Sequence, residues 1–190
     1  MTTVVVVIVV VVILLAAAAA LVLPRMRRRR LQQRFGPEYE RTVGSTGDRR
    51  AAEEDLQQRE HRRKELEIHA LDPGARNAYA QRWRGAQERF VDTPGQAVGD
   101  ADTLVQQVMR DRGYPVGDFD QQARDVSVDH ADVVSEYHAA HEISQLSNRG
   151  NASTEQLRAA MVHYRALFAV LLDEGDSSSG RQGSRNEPAR

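Results

Sequence analysis

From Val4 to Leu23 the chain carries twenty consecutive uncharged, apolar residues, and Arg25, Arg27, Arg28, Arg29 and Arg30 follow at once. Few segments leave so little choice of structure. At helical rise, twenty residues cover about 30 Å, the hydrocarbon thickness of a bilayer. Within lipid every backbone N–H and C=O must be satisfied inside the segment. The valine-rich run is therefore expected to be helical despite valine's preference for strands. Residues 4–23 are predicted to form a single transmembrane helix.

The flanking charges set the expected orientation. Met1, Thr2 and Thr3 carry no positive side chain, whereas the arginines at 25, 27, 28, 29 and 30 crowd the other end. Basic residues next to a span stay on the cytoplasmic side. The expected layout is a single-pass plasma-membrane protein with its N-terminus outside and its C-terminal domain in the cytoplasm. The rival layout is an exported cell-envelope protein released by signal cleavage, for which Ala16–Ala20 offers small residues. A signal peptide, however, has a positive leading region and an apolar stretch of about 7–15 residues, and this run fits neither requirement.

Composition narrows the chemistry of the rest. The chain has no cysteine, which excludes disulfides, thiolate metal ligands and cysteine nucleophiles. Without the five arginines of 25–30, 21 basic residues face 27 acidic ones, net −6. An acidic domain is a poor partner for nucleic acid, which calls for a basic face. Aromatic residues make up only 5% of the chain, so a core must be built mainly from Leu, Val and Ala.

Along the chain the patterns are helical throughout. Residues 24–47 read as a juxtamembrane connector, interrupted at Gly36-Pro37 and punctuated by Gly44 and Gly47. Residues 48–69 read as a charged, solvated helix. Its apolar residues, Ala51, Ala52 and Leu56, are too sparse for a continuous stripe. Asp72-Pro73 then offers a cap and a first-turn proline, and Tyr79, Trp83, Ala86 and Phe90 recur on one helical face. Thr93-Pro94 repeats the device before Ala97, Ala101, Leu104, Val105, Val108 and Met109. About one helical turn is expected around Phe119 and Ala123. Asp129 is expected to cap a third amphipathic helix carrying Val133, Val134, Tyr137, His141 and Ile143 to Leu146 on its inner side. Ser153 with Gln156 forms a capping box for a fourth, with Leu157, Ala160, Met161, Tyr164, Leu167, Phe168, Leu171 and Leu172 inside. From Asp173 to Arg190 the chain is too polar to bury itself and is expected to be a disordered tail. The fold class is all-α: one transmembrane helix, a charged juxtamembrane helix and, over residues 70–172, a bundle of about four helices.

Candidate chemical sites are few. His138 and His141 stand three apart on a predicted helix with Glu142 beside them and His130 upstream, so they are the candidates for a metal site or a His-based metal-binding enzyme. The zincin pattern places its histidines four apart around a glutamate, and this segment does not match it. Asp118, Asp120 and Asp125 suggest a calcium loop, but Gln122, Ala123 and Asp129 stand where that loop needs an oxygen ligand, glycine and glutamate, and Asp118 is expected to cap a short helix instead. Ser127, Asp129 and His130 are the residue types of a hydrolase triad, yet triads are defined by geometry and not by adjacency. Trp83 is a residue type found in binding hot spots but lies on the packing stripe. No cofactor and no catalytic constellation is expected. An interaction role follows, with the membrane and either another protein or a second copy of the chain as partners.

Three segments carry a family likeness: Arg34-Phe35-Gly36-Pro37-Glu38-Tyr39-Glu40-Arg41-Thr42-Val43, Arg112-Gly113-Tyr114-Pro115-Val116, and Met161-Val162-His163-Tyr164-Arg165-Ala166-Leu167-Phe168. With the N-terminal run, they resemble a group of bacterial, largely actinobacterial, single-span membrane proteins of unknown function. The resemblance implies the anchor-plus-domain layout and no activity, cofactor or site residue.

Overall fold

The computed structural model describes residues 22–23 and 25–182, with side chains placed to Asp173. The predicted span 4–23 therefore lies outside the described residues except at Val22 and Leu23. Among the described residues every regular element is a helix, and no helix is long and apolar enough to cross a membrane. Residues 25–35 are helical (α1), followed by α2 (Pro37–Thr46), α3 (Arg49–Glu65), α4 (Pro73–Arg89), α5 (Pro94–Asp111), α6 (Phe119–Ser127), α7 (Val134–Asn148) and α8 (Thr154–Gln182). The chain divides into two compact units, one up to Gln57 and one from Gln58 onward.

In the first unit, Gly36 separates α1 from α2. Its φ of +46° suits glycine, and Pro37 occupies the first turn of α2, where a missing N–H costs nothing. Gly47 closes α2 in the left-handed conformation, its N–H bonded to the Val43 carbonyl at 3.0 Å. The buried apolar residues of this unit are Leu31, Phe35, Tyr39, Ala52 and Leu56. Tyr39 donates to Glu53 Oε1 at 2.8 Å, tying α2 to α3. Burial and that carboxylate push the tyrosine's pKa up.

The second unit holds the bundle. α8 packs along α7 and α5, α5 also contacts α4 and α7, and α6 leans on α7. The four apolar stripes read from the sequence are its core: Tyr79 and Trp83 on α4, Val98 to Met109 on α5, Val134, Tyr137 and Ala140 on α7, and Leu157 to Leu171 on α8. Three of the expected caps form. Asp72 accepts from the N–H groups of Gly74 and Ala75, Asp118 accepts from that of Gln121, and Ser153 and Gln156 bond reciprocally.

Four expectations need correction. Thr93 makes no side-chain cap; its hydroxyl instead reaches the Arg89 carbonyl at 3.3 Å. Asp129 does not cap α7, which starts later, at Val134; its carboxylate is taken up by Arg63 and Tyr114. The segment around Phe119 is a nine-residue helix and not a single turn. α8 also continues to Gln182, past the point where the polar composition begins.

The five tyrosines share one construction. Besides Tyr39, Tyr79 on α4 donates to Asp111 on α5 at 2.5 Å, and Tyr164 on α8 donates to Asp102 on α5 at 2.9 Å. Tyr137 on α7 donates to Gln122 on α6 at 2.9 Å, and Tyr114 donates to Asp129 at 3.3 Å. Each buried ring contributes apolar area while its hydroxyl finds a partner on another segment. In a core poor in aromatics, these pairs fix which helix faces which. Burial, with the neighbouring carboxylates, pushes Tyr79 and Tyr114 up to about 12, and Tyr137 and Tyr164 rise as well.

Candidate functional site

The histidines singled out in the sequence are brought to an aromatic ring. Phe119 stacks on His141 with ring centres 3.6 Å apart and planes 7° apart, and meets His138 edge-on at 5.2 Å. Both imidazoles are packing partners of α6. His163, the remaining histidine of the bundle helices, has Nδ1 2.5 Å from Glu136 Oε2. Among the described residues no group of three or more His, Cys, Asp or Glu is arranged to hold a metal ion.

The polar segment 125–130 is likewise spent on structure. From Gln58 onward, α3 lays Arg59, Arg62 and Arg63, one face of a helix, over the end of α6. Arg59 Nη1 donates to Ser127 Oγ at 3.2 Å, Arg62 Nε donates to the buried Asp125 Oδ1 at 2.9 Å, and Arg63 Nε donates to Asp129 Oδ2. Ser127 in turn donates to the Arg124 carbonyl at 2.7 Å, so its hydroxyl is not poised as a nucleophile. His130 is buried, and that burial pushes its imidazole below its ordinary value. The helix read as solvated is therefore docked along this half, with Arg59 only 9% exposed.

Arg112, Gly113 and Tyr114 form a clasp behind this cluster. The buried Arg112 donates through Nη1 to the Leu171 carbonyl at 2.9 Å and through Nε to the His69 carbonyl at 3.3 Å. Its own carbonyl accepts from the His69 N–H at 3.0 Å. Burial pushes the guanidinium's pKa down, and the Tyr114 ring lies 5.8 Å from the charge. One arginine thus joins α8, the α5–α6 loop and the segment before α4.

A groove of about 170 Å³ is lined by Gln87 and Phe90 of the α4 end and by Arg158, Met161, Val162 and Arg165 of α8. Its floor is apolar: Phe90 is half-buried and Met161 buried, while Val162 stays 61% exposed. Val91, next in the chain to Phe90, is 83% exposed. Trp83, only 6% exposed, stacks on Phe168 at 4.6 Å and joins α4 to α8, so the tryptophan is a packing residue. Arg158 pairs with Glu155 on the surface, and Arg165 has no hydrogen bond or ion pair among the described residues. No acidic residue lines the groove. A larger groove on the other side of α4, about 280 Å³, differs in this respect. There Arg89 donates twice to Asp100, at 3.0 and 2.8 Å, and Arg82 is bonded to Gln107.

Comparisons with protein-family models, with curated proteins and with solved structures give no match for this chain.

Proposed function

We propose that the chain is a membrane-tethered cytoplasmic helical module that works by docking another protein in the α4–α8 groove. The apolar run 4–23 and the arginines at 25–30 supply the tether and its orientation. Val22, Leu23 and Met26, apolar residues at 50%, 56% and 63% exposure, support it. The observation that carries the interaction role is the groove itself. Elsewhere in the bundle the buried tyrosines, with Arg59, Arg62, Arg63 and Arg112, are engaged in internal contacts. The groove instead leaves Val162 and Arg165 open around a packed apolar floor, the composition of a recognition site.

A photoreactive phenylalanine at Val162 tests this in the full chain within intact membranes. The expected result is one discrete cross-linked species, absent when the same group is placed at Arg149, which is exposed in the turn after α7. Adding Arg165→Glu should remove the species without affecting the fold. Identical adducts from both positions, or none from Val162, would count against docking at this face.

A further inference from the structure

We infer that the groove accepts an acidic amphipathic helix of a partner protein, an apolar side chain entering between Phe90 and Met161 and carboxylates meeting Arg158 and Arg165. This rests on the reading of that face as a docking surface and names its occupant.

The spacing along α8 carries the argument. Arg158, Met161 with Val162, and Arg165 stand at i, i+3/i+4 and i+7, so a cation lies one turn to either side of the apolar centre. The two cations are about 10 Å apart along the helix axis. A partner helix with carboxylates two turns apart and an apolar residue between them presents the matching series. The charge is available for it. Arg158 is 58% exposed and held only by a surface pair with Glu155, a kind of contact that contributes little, and Arg165 is uncommitted among the described residues. Gln87 on the opposite wall adds an uncharged hydrogen-bonding group. Arg84, one turn before it on α4, is exposed and also without an ion pair among the described residues.

Shape separates this occupant from a lipid surface, the other natural ligand of arginines beside apolar residues in a tethered protein. Insertion into a bilayer requires apolar side chains that project. Here Val162 and the neighbouring Val91 project, at 61% and 83% exposed, but the floor formed by Phe90, half-buried, and Met161, 9% exposed, is recessed and suits a knob from a partner. The α4–α5 groove, whose arginines already hold Asp100 and Gln107, lacks this open charge.

The test uses the full chain in phosphatidylcholine nanodiscs and two fluorescent helical peptides of about 18 residues, five turns. One is built from Leu, Ala and Glu. The other has the same design with Lys in place of Glu. At low ionic strength the Glu peptide should bind about tenfold more tightly than the Lys peptide. The double variant Arg158→Glu with Arg165→Glu, both on the exposed face, should reverse that order while Trp83 fluorescence stays that of the folded chain. Equal binding of the two peptides, or an order unchanged by the double variant, overturns the assignment. So does tighter binding to phosphatidylglycerol vesicles that the double variant abolishes, which would make the ligand a lipid. Self-association of the peptide-free chain that the double variant abolishes would make it a second copy. If the Val162 cross-link captures a partner through a basic segment, docking stands and the acidic occupant falls.

Discussion

Gly113→Ala is expected to destabilise the second unit by about 2–4 kcal/mol, the sum of backbone strain and a lost hydrogen bond. Gly113 has φ of +93°, a conformation L side chains rarely adopt, and a Cβ there would sit 2.3 Å from the Glu67 carbonyl oxygen. The obstructing atom is backbone, so no rotamer change relieves it. The segment 67–69 would have to retreat, breaking the His69 N–H bond to the Arg112 carbonyl and loosening the Arg112 clasp. Two other glycines calibrate the effect. Gly150, in the same unit after α7, at φ +72° with nothing within 4 Å of its added Cβ, should cost only about 1–2 kcal/mol as alanine. Gly99, inside α5 with open space around it, should gain about 0.5–1 kcal/mol as alanine. Urea unfolding of the full chain, followed by Trp83 fluorescence, reads all three. Trp83 is the sole tryptophan and is stacked on Phe168 in the core, so its emission reports the bundle directly. A loss at Gly113 no greater than at Gly150 would mean the clasp is not the joint described here.

Leu167→Ala should remove about 2–5 kcal/mol, as for other fully buried leucines, because the cavity left in a packed interior closes only in part. Leu167 is fully buried on α8, the helix that packs against both α5 and α7. Val162→Ala, one and a half turns earlier on the same helix, removes a side chain that is 61% exposed and should stay within about 0.5 kcal/mol of the parent. Against a total stability of about 5–15 kcal/mol, the first change lowers the urea midpoint clearly and the second barely moves it. Similar losses from both would show that the buried stripe of α8 has been assigned to the wrong face.

The parts of the fold that rest on local periodicity were legible in the chain. Tyr79, Trp83 and Ala86, then Ala97 to Met109, then Leu157 to Leu171, recur at helical spacing and all lie inside. Caps with a side-chain oxygen before a helix, at Asp72, Asp118 and Ser153, were legible for the same reason: donor and acceptor sit within three residues. The docking of α3 was not. Its face is arginine, which reads as solvated until Asp125, Ser127 and Asp129, more than sixty residues away, come beneath it. Asp129 was misplaced by the same blindness, since a capping role is local and its true partners, Arg63 and Tyr114, are not. A hint was present in the polar, low-aliphatic series from Gln121 to Asp129, a helix that could be buried only against complementary charge. The groove was half legible. Arg158, Met161, Val162 and Arg165 are close in sequence, but Gln87 and Phe90 lie at the α4 end and join them only in the fold.

The tether underlies the whole functional reading, and one pair of fusions after Arg190 tests it most directly. One reporter folds only in the cytoplasm and the other is active only after export. The account predicts activity from the cytoplasmic reporter alone, with the fusion retained in the membrane fraction. Replacing Arg25, Arg27, Arg28, Arg29 and Arg30 by Ser should produce a mixture of the two orientations. Activity from the exported reporter in the unaltered chain, or a fusion shortened by cleavage after the apolar run, would contradict it.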